Sequence, residues 1–440
     1  MKTTRNLLSL TISLTISLTV SSILGLGASL VCAQDLTIIN ARILDGNGGV
    51  IENGAVIIEE GKIVSVGANP PSVRNGPQVI NAGGKTVMPG FVEGHRHVIA
   101  STPGMWLAGP ADTWLAERAA DEMQGFLDAG FTTVLSAIDA QPINEAKAAI
   151  ASGAMVGPRL FTGSFIPVAG AAPPEPGAPP VAPGDPARTD PARIGGATSA
   201  APAVPNDVII GMIQQAKANG YDYLKCVVNT TPGGPEIATL KLIVEEGKKV
   251  GMPTIVHAVS VKDAGAVIDA GPALLVHTPH VGRLDENMDI LQKIIDAHIP
   301  MTSTLAVFVP HYDEAGTALF RDALPFPFDT LSSAGQGPVN AKLLAEAGQL
   351  YGYGTDTQWP PKQSLHDELR ALQLVFSPRE IVEIMTKNAA AATMHDDEFG
   401  TLEAGKYGDL VIIDGDPMTD VMALERVVTT IKEGKVVFQQ

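Results

Sequence analysis

Residues 88–97 read MPGFVEGHRH, an apolar run broken by Pro89-Gly90 and followed at once by His95 and His97. The chain has nine histidines, and two of them stand two apart here. Along a strand, residues i and i+2 project from the same face, so a strand through this stretch turns both imidazoles to one side. Before the stretch the sequence consists of short β-rich pieces. After it, apolar strand-like runs alternate with helical ones, and what this junction separates decides the fold.

From Leu36 to Val87 the pieces are LTIINARILDGNGG, ENGAVIIEEGKIVSVG and QVINAGGKTVMP, with Asp45-Gly46 and Glu60-Gly61 marking tight reversals between β-branched runs. The C-terminus repeats the texture in GTLEAGKYGDLVIIDGDP and RVVTTIKEGKVVF. Two such segments at opposite ends predict one small β-sandwich assembled from residues 34–88 and 399–440. Between them lie eight candidate strands: GFVEGHRHV, FTTVLSA, PRLFTGS, YDYLKCVV, PTIVHAV, ALLVHTP, PMTSTL and YGYGTD. Helical stretches separate them, including ADTWLAERAADEMQGFLDAG, PNDVIIGMIQQAKANG, IATLKLIVEEGKKVG and ENMDILQKIIDAHI. A further helix opens at Ser377-Pro378-Arg379-Glu380, with serine as N-cap and glutamate placed for a capping box. The expectation is an α/β fold, a (β/α)8 TIM barrel over residues 89–398, with an open doubly wound sheet as the rival. Residues 167–205, rich in Pro, Ala and Gly, read as an insertion after the third strand, either a floppy loop or a lid over the site.

Apolar residues make up 45% of the chain and charged ones 18%, which suits a globular enzyme. The formal charge is −17 and no stripe of Lys and Arg occurs, so the sequence points away from nucleic acid as a partner. Residues 1–33 carry Lys2 and Arg5, then a long apolar stretch ending in small residues, the form of an export signal with cleavage before Gln34. The expected location is periplasmic or secreted, with no stable membrane partner once the signal is removed; retention as an anchor is the alternative. Cleavage removes Cys32 and leaves Cys226 without a partner for a disulfide.

For the His-x-His pair by itself, two core histidines bonded to neighbours are as good an explanation as a metal. The other strands change the balance. Lys225 lies in YDYLKCVV, His257 in PTIVHAV, His277 in ALLVHTP and Asp356 in YGYGTD, each a polar group at the end of an apolar run. Burying any of them without a partner costs several kcal/mol, and a shared metal centre satisfies them together.

With these residues in their order, the chain resembles the amidohydrolase superfamily. The resemblance rests on PGF-x3-H-x-H, Lys225, His257, His277, the GTD of 354–356 and the closing NAAAATMHDDEFGTLEAGKYGDLVIID. Through LKCVVNTTPGG, VHAVSVKDAGAVIDAG and SLHDELRAL it is similar to the imidazolonepropionase-like and Xaa-Pro dipeptidase group. The sixth strand departs from the family pattern, running on as His277-Thr278-Pro279-His280. The resemblance implies two divalent ions, zinc first, bridged by Lys225 carboxylated with CO2. His95, His97 and Asp356 would hold the first ion, and His257 and His277 the second. Asp356 would also relay a proton from a metal-activated hydroxide to the leaving nitrogen.

His280, His311 and Tyr312 are candidates for substrate contact, with loop placement as the alternative for the histidines. Cys226 reads as core packing. Trp106, Trp114 and Trp359 suit an apolar or aromatic substrate or ordinary core. The expected function is an exported hydrolase of an amide or peptide C–N bond, in a dipeptide, an N-acyl amino acid or an aromatic amide such as ochratoxin. Hydrolysis of lactones, cyclic amides or organophosphates is the enzymatic alternative, and an inactive metal-binding or ligand-binding module the non-enzymatic one. Relatives of this group suggest a homo-oligomer.

Overall fold

The computed structural model describes residues 36–68, 78–99, 111–170, 202–308, 336–357 and 359–440. The leader at 1–33, Trp106, His311, Tyr312 and residues 171–201 of the insertion lie outside these.

Five strands come first: β1 (Leu36–Leu44), β2 (Val50–Glu59), β3 (Lys62–Gly67), β4 (Gln78–Asn81) and β5 (Thr86–Pro89). The β2–β3 hairpin turns on Glu60 at φ 49° and Gly61 at φ 76°, the paired left-handed residues that a two-residue hairpin needs. The barrel strands follow: β6 (Phe91–Arg96), β7 (Phe131–Ser136), β8 (Arg159–Phe165), β9 (Tyr223–Val227), β10 (Thr254–His257), β11 (Leu274–Leu275), β12 (Met301–Thr302) and β13 (Tyr351–Gly352). They form an eight-stranded sheet in chain order, every neighbour parallel. The sheet's two ends meet. Gly94 N–H donates to the Tyr353 carbonyl at 2.9 Å, and the Thr355 and Asp356 amides donate to the His95 carbonyl at 3.1 and 2.8 Å. These bonds join the first strand to the last, so the sheet is a barrel and not an open doubly wound sheet.

Alternation along the strands sorts the core into two parts. Leu135, Tyr223, Ile255, Leu274 and Val276 pack inside the barrel, beneath the residues at its mouth. Leu224, Cys226, Val256 and Leu275 face outward into the layer of helices. Each strand is followed by helix, as the sequence leads one to expect, with one correction. The stretch 111–130, predicted as a single helix, is two, Ala111–Glu117 and Ala119–Asp128, with Arg118 at φ −134° between them. Nine residues separate Trp114 from Met123, which is about half a turn out of phase on a continuous helix at 3.6 residues per turn. The break lets both side chains be buried, at 1% and 0% exposure.

The last strands, β14 (Leu410–Ile413), β15 (Val427–Lys432) and β16 (Lys435–Gln439), return to the N-terminal ones. Together they make a mixed sheet ordered β16-β15-β14-β5-β1-β2-β3, with β4 beside β1. The two ends of the chain meet where β14 pairs antiparallel with β5. The expected sandwich is a single sheet curled on itself: Ile63 N–H donates to the Lys406 carbonyl at 2.9 Å and Gly408 N–H to the Gly61 carbonyl at 2.8 Å. Its interior holds Leu36, Ile38, Val56, Ile58, Leu410 and Ile431. Among the described residues no helix is long and apolar enough to cross a membrane.

Candidate metal centre

The six residues singled out from the strands gather at the C-terminal mouth of the barrel. His95 Nε2 lies 3.1 Å from Asp356 Oδ1, and His97 Nε2 lies 2.9 Å from the same oxygen. His277 Nε2 stands 3.7 Å from Asp356 Oδ2 and 2.7 Å from His257 Nδ1. Lys225 Nζ lies 3.2 Å from His95 Nε2. His95, His277 and Lys225 are buried at 0%, 1% and 1% exposure, whereas His257 and Asp356 are partly open. The open members mark the side from which a substrate can approach.

Whether the set suits a metal can be judged from its spacing. Four donors around a tetrahedral ion with N and O bonds of about 2.0–2.1 Å stand about 3.3 Å apart. The contacts of 2.9–3.7 Å between Asp356 and its three imidazoles bracket that spacing. The ligand atoms of His95, His277 and Asp356 all lie within 4.8 Å of one another, a separation that lets the two halves of the set adjoin in one centre. His97, His257 and Lys225 each touch a member of that group.

Protonation agrees with the spacing. Burial pushes the His95 and His257 imidazoliums down to about 3, with Lys225 acting in the same direction. Burial and the neighbouring His257 hold His277 well below its ordinary value. Burial alone would raise the Asp356 carboxyl, but His95 and His277 beside it hold it well below the usual range. Burial also brings the Lys225 ammonium down to about 7. Neutral imidazoles with an ionised carboxylate are the forms in which these side chains bind cations.

A second layer orients these side chains. His277 Nδ1 meets Thr304 Oγ1 at 2.9 Å, and His97 Nδ1 meets the Ile138 carbonyl at 3.2 Å, each turning Nε2 toward the centre. Asp139 accepts from the Val98 and Ile99 amides at 3.0 Å each, fixing the chain just past His97. Two residues here are left-handed, Asp356 at φ 52° and Thr304 at φ 43°. Non-glycine residues in this region store about 1–3 kcal/mol each, and a β-branched residue there is a true outlier.

The remaining candidates divide. His280 is 1% exposed, so it is no surface residue, and burial pushes its imidazolium down to about 3. Cys226 points away from the centre into the helix layer, as expected. Trp114 is core, its indole donating to Glu122 at 2.8 Å. His366 pairs with Glu425 at 2.7 Å, His298 follows the helix Met288–Asp296, and His395 stacks on Phe161 with centroids 4.1 Å apart. Thr304, Glu93 and Arg96 are the residues missed by sequence reasoning. Glu93 and Arg96 were within reach of it, being charged groups inside an apolar strand; a lone threonine carries no such mark.

The sequence model of the amidohydrolase family matches residues 86–437. An imidazolonepropionase of Shouchella clausii is 26% identical, covering 89% of this chain and 87% of that protein. Among solved structures, a Xaa-Pro dipeptidase with bound methionine in its active site aligns with a TM-score of 0.71 at 19% identity, over 92% of this chain and 99% of the other. The ochratoxinase of A. niger aligns with a TM-score of 0.70 at 18% identity, over 93% and 96%. At such identities the structures speak for the shared fold alone.

Proposed function

The chain belongs to the amidohydrolase family, and on that premise we propose that this hydrolase cleaves an amide or peptide C–N bond at a centre of two divalent ions. The observation that carries the reading is the convergence of His95, His97, Lys225, His257, His277 and Asp356 on one mouth of the barrel. His95, His97 and Asp356 would hold one ion and His257 and His277 the other, with Lys225, carboxylated by CO2, reaching both. Divalent ions, zinc first among them, supply Lewis acidity that polarises a carbonyl and brings a water's pKa toward neutrality.

The chain's own groups do the rest. Asp356, at the open edge, is placed to take a proton from the attacking water and pass it to the leaving nitrogen. Buried His95 and His277 are neutral, so each keeps one ring nitrogen free to donate its lone pair, and they exclude solvent from the back of the site. His280, buried three residues past His277, is assigned to the substrate side. The substrate is read as a dipeptide or N-acyl amino acid, with aromatic amides next; the dipeptidase and ochratoxinase among the similar folds support this order.

A substrate panel tests the proposal. Turnover of dipeptides or N-acyl amino acids is expected. Steady turnover of lactones or phosphotriesters with none of amides would reverse the order, and metal-replete protein inert toward every substrate would favour a binding module. The leader at 1–33 supports export, to be checked by N-terminal sequencing of the protein from the periplasm or medium, with Gln34 the expected first residue.

A further inference from the structure

Glu93 and Arg96 lie on the same strand as His95 and His97 but have no part in the chemistry above. Both are buried, at 1% and 2% exposure, and both converge on Thr355, the residue before Asp356. The Glu93 carboxylate accepts from the His95 amide at 3.1 Å, from the Thr355 amide at 3.0 Å and from the Thr355 hydroxyl at 2.9 Å. Arg96 takes hold of the loop further along. Its Nη1 donates to Thr355 Oγ1 at 3.4 Å and to Thr357 Oγ1 and Ser364 Oγ at 3.0 Å each, and its Nη2 donates to the Trp359 carbonyl. The guanidinium packs over the Phe126 ring, 4.9 Å from its centroid. An irregularity in the β6–β7 pairing between Glu93 and Arg96 re-aims these side chains, so that one strand grips a single loop twice.

Between the two grips sits Asp356 at φ 52°, its amide held by the His95 carbonyl at 2.8 Å. Aspartate enters the left-handed region more readily than most residues but still at a cost, which the surroundings here must offset. With Thr355 fixed at both amide and hydroxyl, and Thr357 tied to Arg96, Asp356 is held from both sides.

We propose that Glu93 and Arg96 are positioning residues: by holding Thr355, Thr357 and the Trp359 carbonyl they keep the Asp356 carboxylate against His95 and His97 and so set how tightly the centre binds an ion. This rests on the reading of the centre as a metal site.

The test compares Thr355→Val, Thr355→Ser and Arg96→Lys with the parent. Zn2+ affinity is measured by chelator competition, kcat and KM with the best amide substrate, and the melting temperature on metal-free protein. Thr355→Val keeps the shape but removes the hydroxyl on which both grips close; Zn2+ binding is expected to weaken about 10–100-fold and kcat to fall, with KM within about twofold. Thr355→Ser, which keeps the hydroxyl, should return to the parent's affinity. Arg96→Lys keeps the charge but loses the forked donor and should move in the same direction as Thr355→Val. If Arg96→Lys fails to fold, the Val/Ser pair decides. Zn2+ affinity and kcat in Thr355→Val equal to the parent's would overturn the clamp. A parent that binds no Zn2+, with Asp356→Ala no different, would instead remove the metal reading and the clamp's purpose with it.

Discussion

Two clusters of buried charge lie on different parts of the molecule and are built on opposite terms. At the seam between the barrel and the curled sheet, Arg159 of β8 donates to Asp409 at 2.6 Å, to Glu433 at 2.8 Å and to Thr133 Oγ1 at 3.2 Å. Its guanidinium lies over the Tyr407 ring at 4.1 Å, and Asp409 spends its other oxygen on the Glu433 amide at 2.7 Å. The mouth of the barrel is different. There one carboxylate, that of Asp356, serves three imidazoles, Lys225 faces a ring nitrogen, and His95 Nδ1 has no partner among the described residues. The first cluster is complete as it stands and joins two parts of the fold. The second gathers one ionised carboxylate among uncharged ring nitrogens, leaves one of those nitrogens unbonded and is strained at two backbone positions, which is what a site built to take up a cation looks like.

The contrast can be broken or sharpened by mutation. The largest effect is expected from Asp356→Ala: kcat/KM for an amide should fall about 10³-fold or more, while the melting temperature stays near the parent's because the seam is untouched. Arg159→Met should do the reverse. Stranding the buried Asp409 should lower stability by about 3 kcal/mol, read by denaturant unfolding, with kcat of the folded enzyme unchanged. Loss of activity in fully folded Arg159→Met would show that the two clusters are not separable.

Thr304→Val tests the strained support of His277. Removing the oxygen at 2.9 Å from Nδ1 should weaken metal binding about 10–100-fold, and Thr304→Ser should restore it. The smallest effect belongs to the exposed capping box at Ser377. Glu380 accepts from the Ser377 hydroxyl and amide, which hold its carboxyl below the ordinary value. A carboxyl depressed in the folded state contributes stability above its unfolded pKa and loses it as pH falls through the folded one. Ser377→Ala should therefore cost about 1 kcal/mol at pH 7, and the gap in melting temperature from the parent should narrow in acid.

Much of this architecture is written locally. The eight barrel strands are legible because each is an apolar run bounded by turns, and the six ligand candidates because a polar residue at the end of such a run needs a reason to be there. Glu93 and Arg96 meet the same criterion but sit between histidines that already account for the motif, so they do not stand out until Thr355, more than 250 residues on, is seen between them. Thr304 and Thr355 are silent in sequence, since a threonine in a strand is ordinary and only its backbone angle or its neighbours make it otherwise. The break at Arg118 follows from burying Trp114 and Met123 together, a tertiary demand that helix periodicity cannot express. The curl of the terminal sheet depends on Ile63 meeting Lys406, a pairing across the length of the chain.

The centre itself is tested most directly by elemental analysis of the purified protein and of Lys225→Ala, alongside amide hydrolysis by each. About two divalent ions per chain are expected in the parent, with reduced metal and near-total loss of hydrolysis in the variant. A variant that keeps the parent's metal content and its activity would contradict the assignment of Lys225 to the centre.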